Sequence, residues 1–480
     1  MPRESQRSCG RRRGARAWSL RVPAAIFLAA CLAGLGLSCS GQGEAAARPN
    51  IVVVVIDTLR ADHLPFYGYG IDTSPFLASL AKEGVVFEHA YSTSSWTAPA
   101  TASLFTALYP RQHGVITGWL VGNQTGDEPE LTMNLTRIPE ELETMPEAMR
   151  DAGYRTFGVS DNFNVCPQMG FADGFDVFSS DTIQYRGGEH VNRTVLGWGD
   201  RLQGPGPYFL YIHYMDPHRP YHQQRAWYHE PAEDRPALLR DPKRARAVAR
   251  YDSEIGYVDD KLRELYRRLR WDRNTILVVT ADHGEEFWDH GYINHDKTLY
   301  DEVLHVPLLV HDSRGGLGPA RRAENVSLID VLPTLLEIAG QPPDARLMGR
   351  SLVPLLDGAP DAAFGTRRLY AHLERTFFKP WGATGTLMGK NGRERYVAVA
   401  ALDGRWKLIE DSRGARHLYD LSADPGETHD LANDDPKMAG NLDGSLKDHA
   451  KTEKIYSSRS FEEEVDIREL ARLRSLGYVD

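Results

Sequence analysis

Cysteine is scarce: the 480-residue chain holds four, Cys9, Cys31, Cys39 and Cys166. That excludes a disulfide scaffold, which needs many paired cysteines. A basic excess is also missing. Lys and Arg number 56 against 66 Asp and Glu, a formal charge of −10. Nucleic acid is thereby excluded as the main partner, since a phosphate backbone selects a basic stripe. Beyond residue 39 no apolar run approaches the roughly 20 residues that a membrane-spanning helix requires. Internal repeats are absent, which argues against a solenoid. What remains is 41% hydrophobic and 25% charged, a balance that admits a buried core and excludes a disordered chain.

The charge is uneven. Residues 1–38 carry seven arginines (Arg3, Arg7, Arg11, Arg12, Arg13, Arg16 and Arg21) and one acid, Glu4. An apolar run from Val22 to Leu37 follows, too short to span a bilayer, and then small residues around Cys39. This is the pattern of an export signal. A cysteine at the polar edge resembles a bacterial lipoprotein cleavage site, which predicts lipidation at Cys39. Leu28-Ala29-Ala30-Cys31 matches that motif better locally but leaves a stubby apolar region. The expectation is an exported protein of the bacterial cell envelope or periplasm that meets the membrane only through its lipid anchor. Without residues 1–38, 49 basic and 65 acidic residues remain, a charge of −16. With Cys39 lipidated, Cys166 has no partner for an internal disulfide.

After a small, polar tether over 39–48, Asn50 to Ile56 is a continuous β-branched run, the mark of a strand buried on both faces of a parallel sheet. Residues 209–212, 275–280 and 306–310 are runs of the same kind. Val248, Tyr251, Ile255, Val258, Leu262, Leu265 and Leu269 recur at three and four residues and predict an amphipathic packing helix. Another helix is expected over 328–339, stopped by Gly340. Alternating strands and helices predict a doubly wound, mostly parallel α/β sheet with helices on both sides, over 49–345. Short strands at 368–372, 395–399, 406–409 and 417–421 predict a small antiparallel C-terminal subdomain over 346–436. The charged stretch 437–480 reads as a helical tail.

In such a sheet, function gathers at the carboxyl ends of the strands. The first strand ends at Asp57, the strand over 275–280 at Asp282-His283-Gly284-Glu285, and Ser95-Trp96-Thr97-Ala98-Pro99 opens a helix between them. Asp57, Asp282 and His283 can therefore converge on one divalent cation, with Thr97 at a helix N-terminus that favours an anion. A cation lowers the pKa of the Thr97 hydroxyl, making a nucleophile, and neutralises oxygens of an anionic ester. Taken singly, an aspartate at a strand end also serves to cap the next helix. Arg60 and Asp62 are expected to pair as scaffold, Trp96 to wall the pocket or to pack in the core, and Cys166 to be inert.

These motifs resemble the sulfatase family of the alkaline phosphatase superfamily, over roughly 49–430. The matching stretches are Pro49–Asp62, Ser95–Gly114, Gly153–Thr156, Met215-Asp216-Pro217-His218, Asp282–Glu285 and His295 to Pro307, with Leu418–Leu421 and Asp424–Glu427 in the subdomain. The resemblance implies that Asp57, Asp282 and His283 bind the metal. It further implies that Lys297 and His218 hold the ester oxyanion or leaving group, and that Thr97 stands at the nucleophile position. His295 reads as a residue that protonates a leaving group or binds substrate, or as a plain loop histidine. His218 and His222 with Asp216 fit substrate binding better than a second metal.

Four departures qualify the resemblance. Sulfatases place a Cys or Ser two residues before a proline and convert it to formylglycine; here Thr97 stands there, and its β-methyl forbids that aldehyde. Thr101 replaces the family's arginine, and Thr58 a further metal-binding aspartate. Asp161-Asn162 falls where Lys-Trp-His is expected. An unmodified threonine resembles the phosphodiesterases and headgroup transferases of the superfamily. The expectation is a metal-dependent hydrolase of phospho-, phosphono- or sulfate esters using Mn²⁺, Zn²⁺ or Ca²⁺. The alternatives are transfer of a phospho-headgroup to a lipid or glycan, and an inactive lipoprotein that binds an anionic glycan.

Overall fold

The computed structural model describes residues 48–116, 120–122, 132–180, 186–230, 241–342, 344–359, 362–377, 394–452, 455–456 and 460–464. The export signal, Cys39 and the tether up to residue 47 lie outside the described residues, as do large parts of the loops over 115–140 and 377–394.

Eight strands make the main sheet: β1 (Asn50–Ile56), β2 (Val85–Tyr91), β3 (Arg155–Ser160), β4 (Val177–Ser180), β5 (Tyr208–Tyr214), β6 (Thr275–Thr280), β7 (His305–Asp312) and β8 (Ala320–Ser327). Their order is β8-β2-β7-β6-β1-β5-β3-β4. β7 runs against both of its neighbours and the other pairings are parallel, so the expected mostly parallel α/β sheet is present. The β-branched run of β1 is central, with Ile51 to Val55 all at 0% exposure. Each such side chain contributes about 1.5–3 kcal/mol relative to an exposed one. Because β6, β1, β5 and β3 are adjacent and parallel, the residues that follow them meet at one edge of the sheet.

The helix that follows β2, α1 (Thr97–Thr106), is buried along its whole length. Its far end is held by His113, whose ring is fully buried. The Val115 N–H donates to Nδ1 at 3.1 Å, so Nε2 carries the proton and donates to Ser103 Oγ at 3.0 Å. Burial, with the nearby charge of His372, pushes this imidazole down to about 3, against a backbone hydrogen bond to Pro99 that raises it. A depressed native pKa means that the unfolded chain binds the proton first as pH falls. Stability is therefore expected to be full above about pH 6.5 and to decline toward about 3. Denaturant melts of His113→Asn and the parent between pH 7 and 4 check this; an unchanged slope in the variant refutes it.

The long helix α2 (Pro242–Arg268) opens on Asp241, whose carboxylate accepts from the Lys243 N–H at 2.8 Å, a side-chain N-cap. The stripe from Val248 to Leu265 is buried as its spacing requires. The helix starts six residues before the stripe because Asp241-Pro242 is itself a start signal.

The C-terminal sheet is a meander of β9 (Arg368–Phe377), β10 (Glu394–Asp403), β11 (Trp406–Asp411) and β12 (Arg416–Asp420), antiparallel throughout. Helix α3 (Pro436–Thr452) covers it through Ala439, Leu442 and Leu446 against Ala401, Leu408 and Leu418. The helix expected in the tail thus belongs with the sheet, and the boundary at 436 cuts through one packing layer. Residues 460–464, expected to be helical, are a strand antiparallel to Thr132–Thr136. Among the described residues no helix is long and apolar enough to cross a membrane.

Candidate active site

The chain turns sharply as it leaves β1. Asp57 is fully buried, and Thr58 takes a left-handed φ of 56°, a strained conformation for a β-branched residue. The Tyr251 hydroxyl holds it by donating to the Thr58 carbonyl at 2.7 Å. Leaving β6, Asp282 Oδ1 accepts from the backbone N–H groups of His283 at 2.9 Å and Thr58 at 3.3 Å. These contacts fix both carboxylates at the same edge.

Between them stand two imidazoles. His283 Nδ1 lies 2.8 Å from the Gly284 carbonyl, which only accepts, so the proton sits on Nδ1 and Nε2 faces the carboxylates. Nε2 is 3.8 Å from Asp57 Oδ1 and 3.5 Å from Asp282 Oδ2. His213, from β5, reaches Asp57 Oδ2 at 3.3 Å and Asp282 Oδ2 at 4.0 Å through its own Nε2, while Nδ1 meets the Tyr211 hydroxyl at 2.8 Å. The ligand atoms of Asp57, His213 and Asp282 lie within 4.8 Å of one another. Thr97, the first residue of α1, places Oγ1 3.3 Å from His283 Nε2. Asn162, just past β3, donates from Nδ2 to Thr97 Oγ1 at 3.3 Å and to Asp57 Oδ2.

The electrostatics call for a cation. Burial alone raises the Asp57 carboxyl, but the hydrogen bond from His213 and the charges of His218, His213 and His283 hold it well below the usual range. Asp282 is raised by burial and by the neighbouring Asp57 charge. His283 is raised, since Asp282 and Asp57 together outweigh its burial. Asp57 Oδ1 and Asp282 Oδ2 have no hydrogen-bond partner among the described residues although both are buried. Orphaned carboxylate oxygens of this kind are costly unless an ion satisfies them. Two carboxylates, two imidazoles and a hydroxyl therefore fit one divalent cation.

The residues expected from sequence divide in two. Asp57, Asp282, His283 and Thr97 come together. His295 joins them, its ring 4.4 Å from that of His283, and His218 follows with its ring 5.0 Å from His295. Both of these rings are pushed down chiefly by burial. Lys297 turns along its own loop, donating to the Ile293 carbonyl at 2.7 Å. Asp216 caps the segment at 188, accepting from the Gly188 N–H at 2.9 Å, and the His222 N–H goes to Glu254 at 2.8 Å; the two residues are occupied in separate contacts. Arg60 pairs with Asp62 at 2.7 Å and with Asp289 at 3.0 Å, and Cys166 is a buried thiol outside any disulfide. Sequence reasoning missed His213 and Asn162. The strand-end rule was the available signal for both, since His213 is the next-to-last residue of β5 and Asn162 lies two residues past the end of β3.

With this geometry in place, the family model described as Sulfatase matches residues 49–341. The chain belongs to the sulfatase family. It is an ester hydrolase with the alkaline phosphatase-like fold. A second model, N-sulphoglucosamine sulphohydrolase, C-terminal, matches residues 288–454, spanning the antiparallel sheet and α3. The uncharacterized sulfatase YidJ of Escherichia coli (strain K12) is 25% identical, covering 81% of this chain and 84% of its own length. A 2-O GAG sulfatase structure aligns with TM-score 0.66 at 18% identity, covering 85% of this chain and 93% of that one. The phosphonate monoester hydrolase of Agrobacterium radiobacter aligns at 0.62 and 20% identity, covering 84% and 95%. Both sulfatases and phosphonate hydrolases thus share the fold.

Proposed function

We propose that the chain is a metal-dependent hydrolase that works through Thr97 and favours phosphorus esters, diesters or phosphonates, over sulfate esters. The observation that carries this reading is the Thr97 hydroxyl at the start of α1, 3.3 Å from His283 Nε2 within the carboxylate cluster. A threonine cannot become formylglycine, whose hydrate releases sulfate without water attacking sulfur. Its covalent ester has to be opened by water, which is routine at phosphorus and harder at sulfur.

Asp57, Asp282, His283 and His213 are the proposed ligands, with Thr97 Oγ1 beside them. A cation bound there supplies Lewis acidity, stabilising the Thr97 oxyanion and the charge on the ester. Two imidazoles in the donor set favour Mn²⁺ or Zn²⁺ over Ca²⁺, which prefers oxygen. Asn162 Nδ2 holds Thr97 Oγ1 in place, and the free N–H groups at the start of α1 face the incoming anion. His295 and His218 extend the site beyond His283, their rings in succession at 4.4 Å and 5.0 Å.

The test is metal analysis of the purified protein, followed by matched aryl phosphodiester, phosphonate, phosphomonoester and sulfate substrates. The expected result is about one equivalent of Mn²⁺ or Zn²⁺, turnover lost on chelation, and kcat/KM for a phosphodiester or phosphonate above that for the sulfate. Preference for the sulfate ester, or full activity after chelation, overturns the reading.

A further inference from the structure

A plain threonine leaves one step without an agent: water has to be activated to open the covalent intermediate. We propose that His295 is the base for that step and that Glu285 is its positioning residue. This inference rests on the Thr97 reading above.

Glu285 follows the metal-binding segment and its side chain is entirely buried. Its backbone is pinned, the Glu285 N–H donating to the Glu302 carbonyl at 3.0 Å and the Gly284 N–H to Val303 at 3.0 Å. From there Glu285 Oε1 lies 3.2 Å from His295 Nδ1. A carboxylate on one ring nitrogen holds that nitrogen protonated and leaves Nε2 as the acceptor, the arrangement by which a carboxylate orients a catalytic imidazole.

The backbone around His295 is equally constrained. Asn294 and Asp296 both have a φ of 72°, a left-handed conformation on each side of one residue. Such a turn persists only where its surroundings over-determine it. Here the Asp296 N–H donates to the Ser95 carbonyl at 3.0 Å, which ties the turn to the stretch that opens α1. The Asp296 carboxylate is gripped by Arg375 from β9 at 2.6 Å, and that guanidinium lies 5.2 Å above the ring of Trp96, the residue before Thr97. His295 is thus fixed from three directions, its ring 4.4 Å from that of His283, whose Nε2 meets Thr97 Oγ1 at 3.3 Å.

The step balances without a further reactant. Water attacks the phosphorus of the threonyl ester, the new O–P bond forms and the Thr97 Oγ1–P bond breaks. The water proton passes to His295 Nε2, the Thr97 oxygen leaves with the bond pair, and His295 then releases the proton to solvent.

Glu285→Gln and His295→Gln in the metal-loaded full chain test this with an activated aryl phosphodiester or phosphonate. Slowing of the second half-reaction alone predicts a burst of about one equivalent of phenol and an intact mass that carries the substrate's phosphoryl group on Thr97. It also predicts a steady-state rate lower by about 10²–10⁴-fold. The double variant is expected to lose no more than His295→Gln alone, because Glu285 acts through His295. Additive losses, the absence of a trapped adduct, or a Glu285→Gln rate equal to the parent overturns the proposal. A parent chain that hydrolyses none of the panel overturns the Thr97 reading instead, so the two failures are distinguishable.

Discussion

Thr97→Ala is expected to lower kcat/KM on the preferred phosphorus ester by at least about 10³-fold, because it removes the hydroxyl that meets His283 Nε2 within the carboxylate cluster. Thr101, on the same helix, and Thr58, next to Asp57, are two other threonines at hand. The first is one turn deeper in α1, and the second points its backbone carbonyl at Tyr251. Bound metal is expected to stay near one equivalent, since Asp57, His213, Asp282 and His283 are all retained. Thr97→Ser keeps the hydroxyl and is expected to keep measurable turnover. Loss of metal along with activity assigns Thr97 a structural duty; undiminished activity in the alanine variant removes it from the chemistry altogether.

Lys407→Met is expected to cost about 3–5 kcal/mol of unfolding free energy, the usual result of stripping one partner from a buried ionic group. Lys407 lies on β11 with no exposed surface. Its ammonium meets Asp301 Oδ1 at 2.7 Å and Glu427 Oε1 at 3.0 Å, and Glu427 Oε2 accepts from the Asp301 N–H at 2.6 Å. One lysine therefore joins the C-terminal sheet, the turn after β12 and the segment just before β7. Without it, the buried Glu427 and the half-buried Asp301 carboxylates are left beside each other. Guanidinium melts give the number, and a loss under about 1 kcal/mol is incompatible with the network acting as drawn. Lys407→Met with Glu427→Gln is expected to recover part of the loss, since the second change removes one of the stranded charges.

Much of this architecture was readable before any coordinates. β1 is a β-branched run from Ile51 to Ile56 and β6 is one broken only by Leu277, a pattern with few competing explanations, and the carboxyl ends of such strands are where a site forms. That logic reached Asp57, Asp282 and His283. It stopped short of His213 because that histidine sits inside β5 amid Tyr211, Ile212 and Tyr214, where it reads as part of the buried strand. Asn162 was hidden for another reason. It occupies a place where the family carries different residues, so resemblance marked a loss there, whereas the geometry gives it two polar contacts. The direction taken by Lys297 depends on a loop whose hydrogen bonding has no signature in the sequence. Ser460 to Glu464 misled most simply: a run of glutamates favours helix locally, and only a partner strand far back in the chain turns it into a strand.

That partner strand has a consequence for biogenesis. Thr132–Thr136 leaves the ribosome about 300 residues before Ser460–Glu464 can pair with it. The contact order of this small sheet is therefore high, and its closure comes late, after the residues that form the α/β core have been synthesised. A nascent chain reaches this finished edge only once residues 460–464 have emerged.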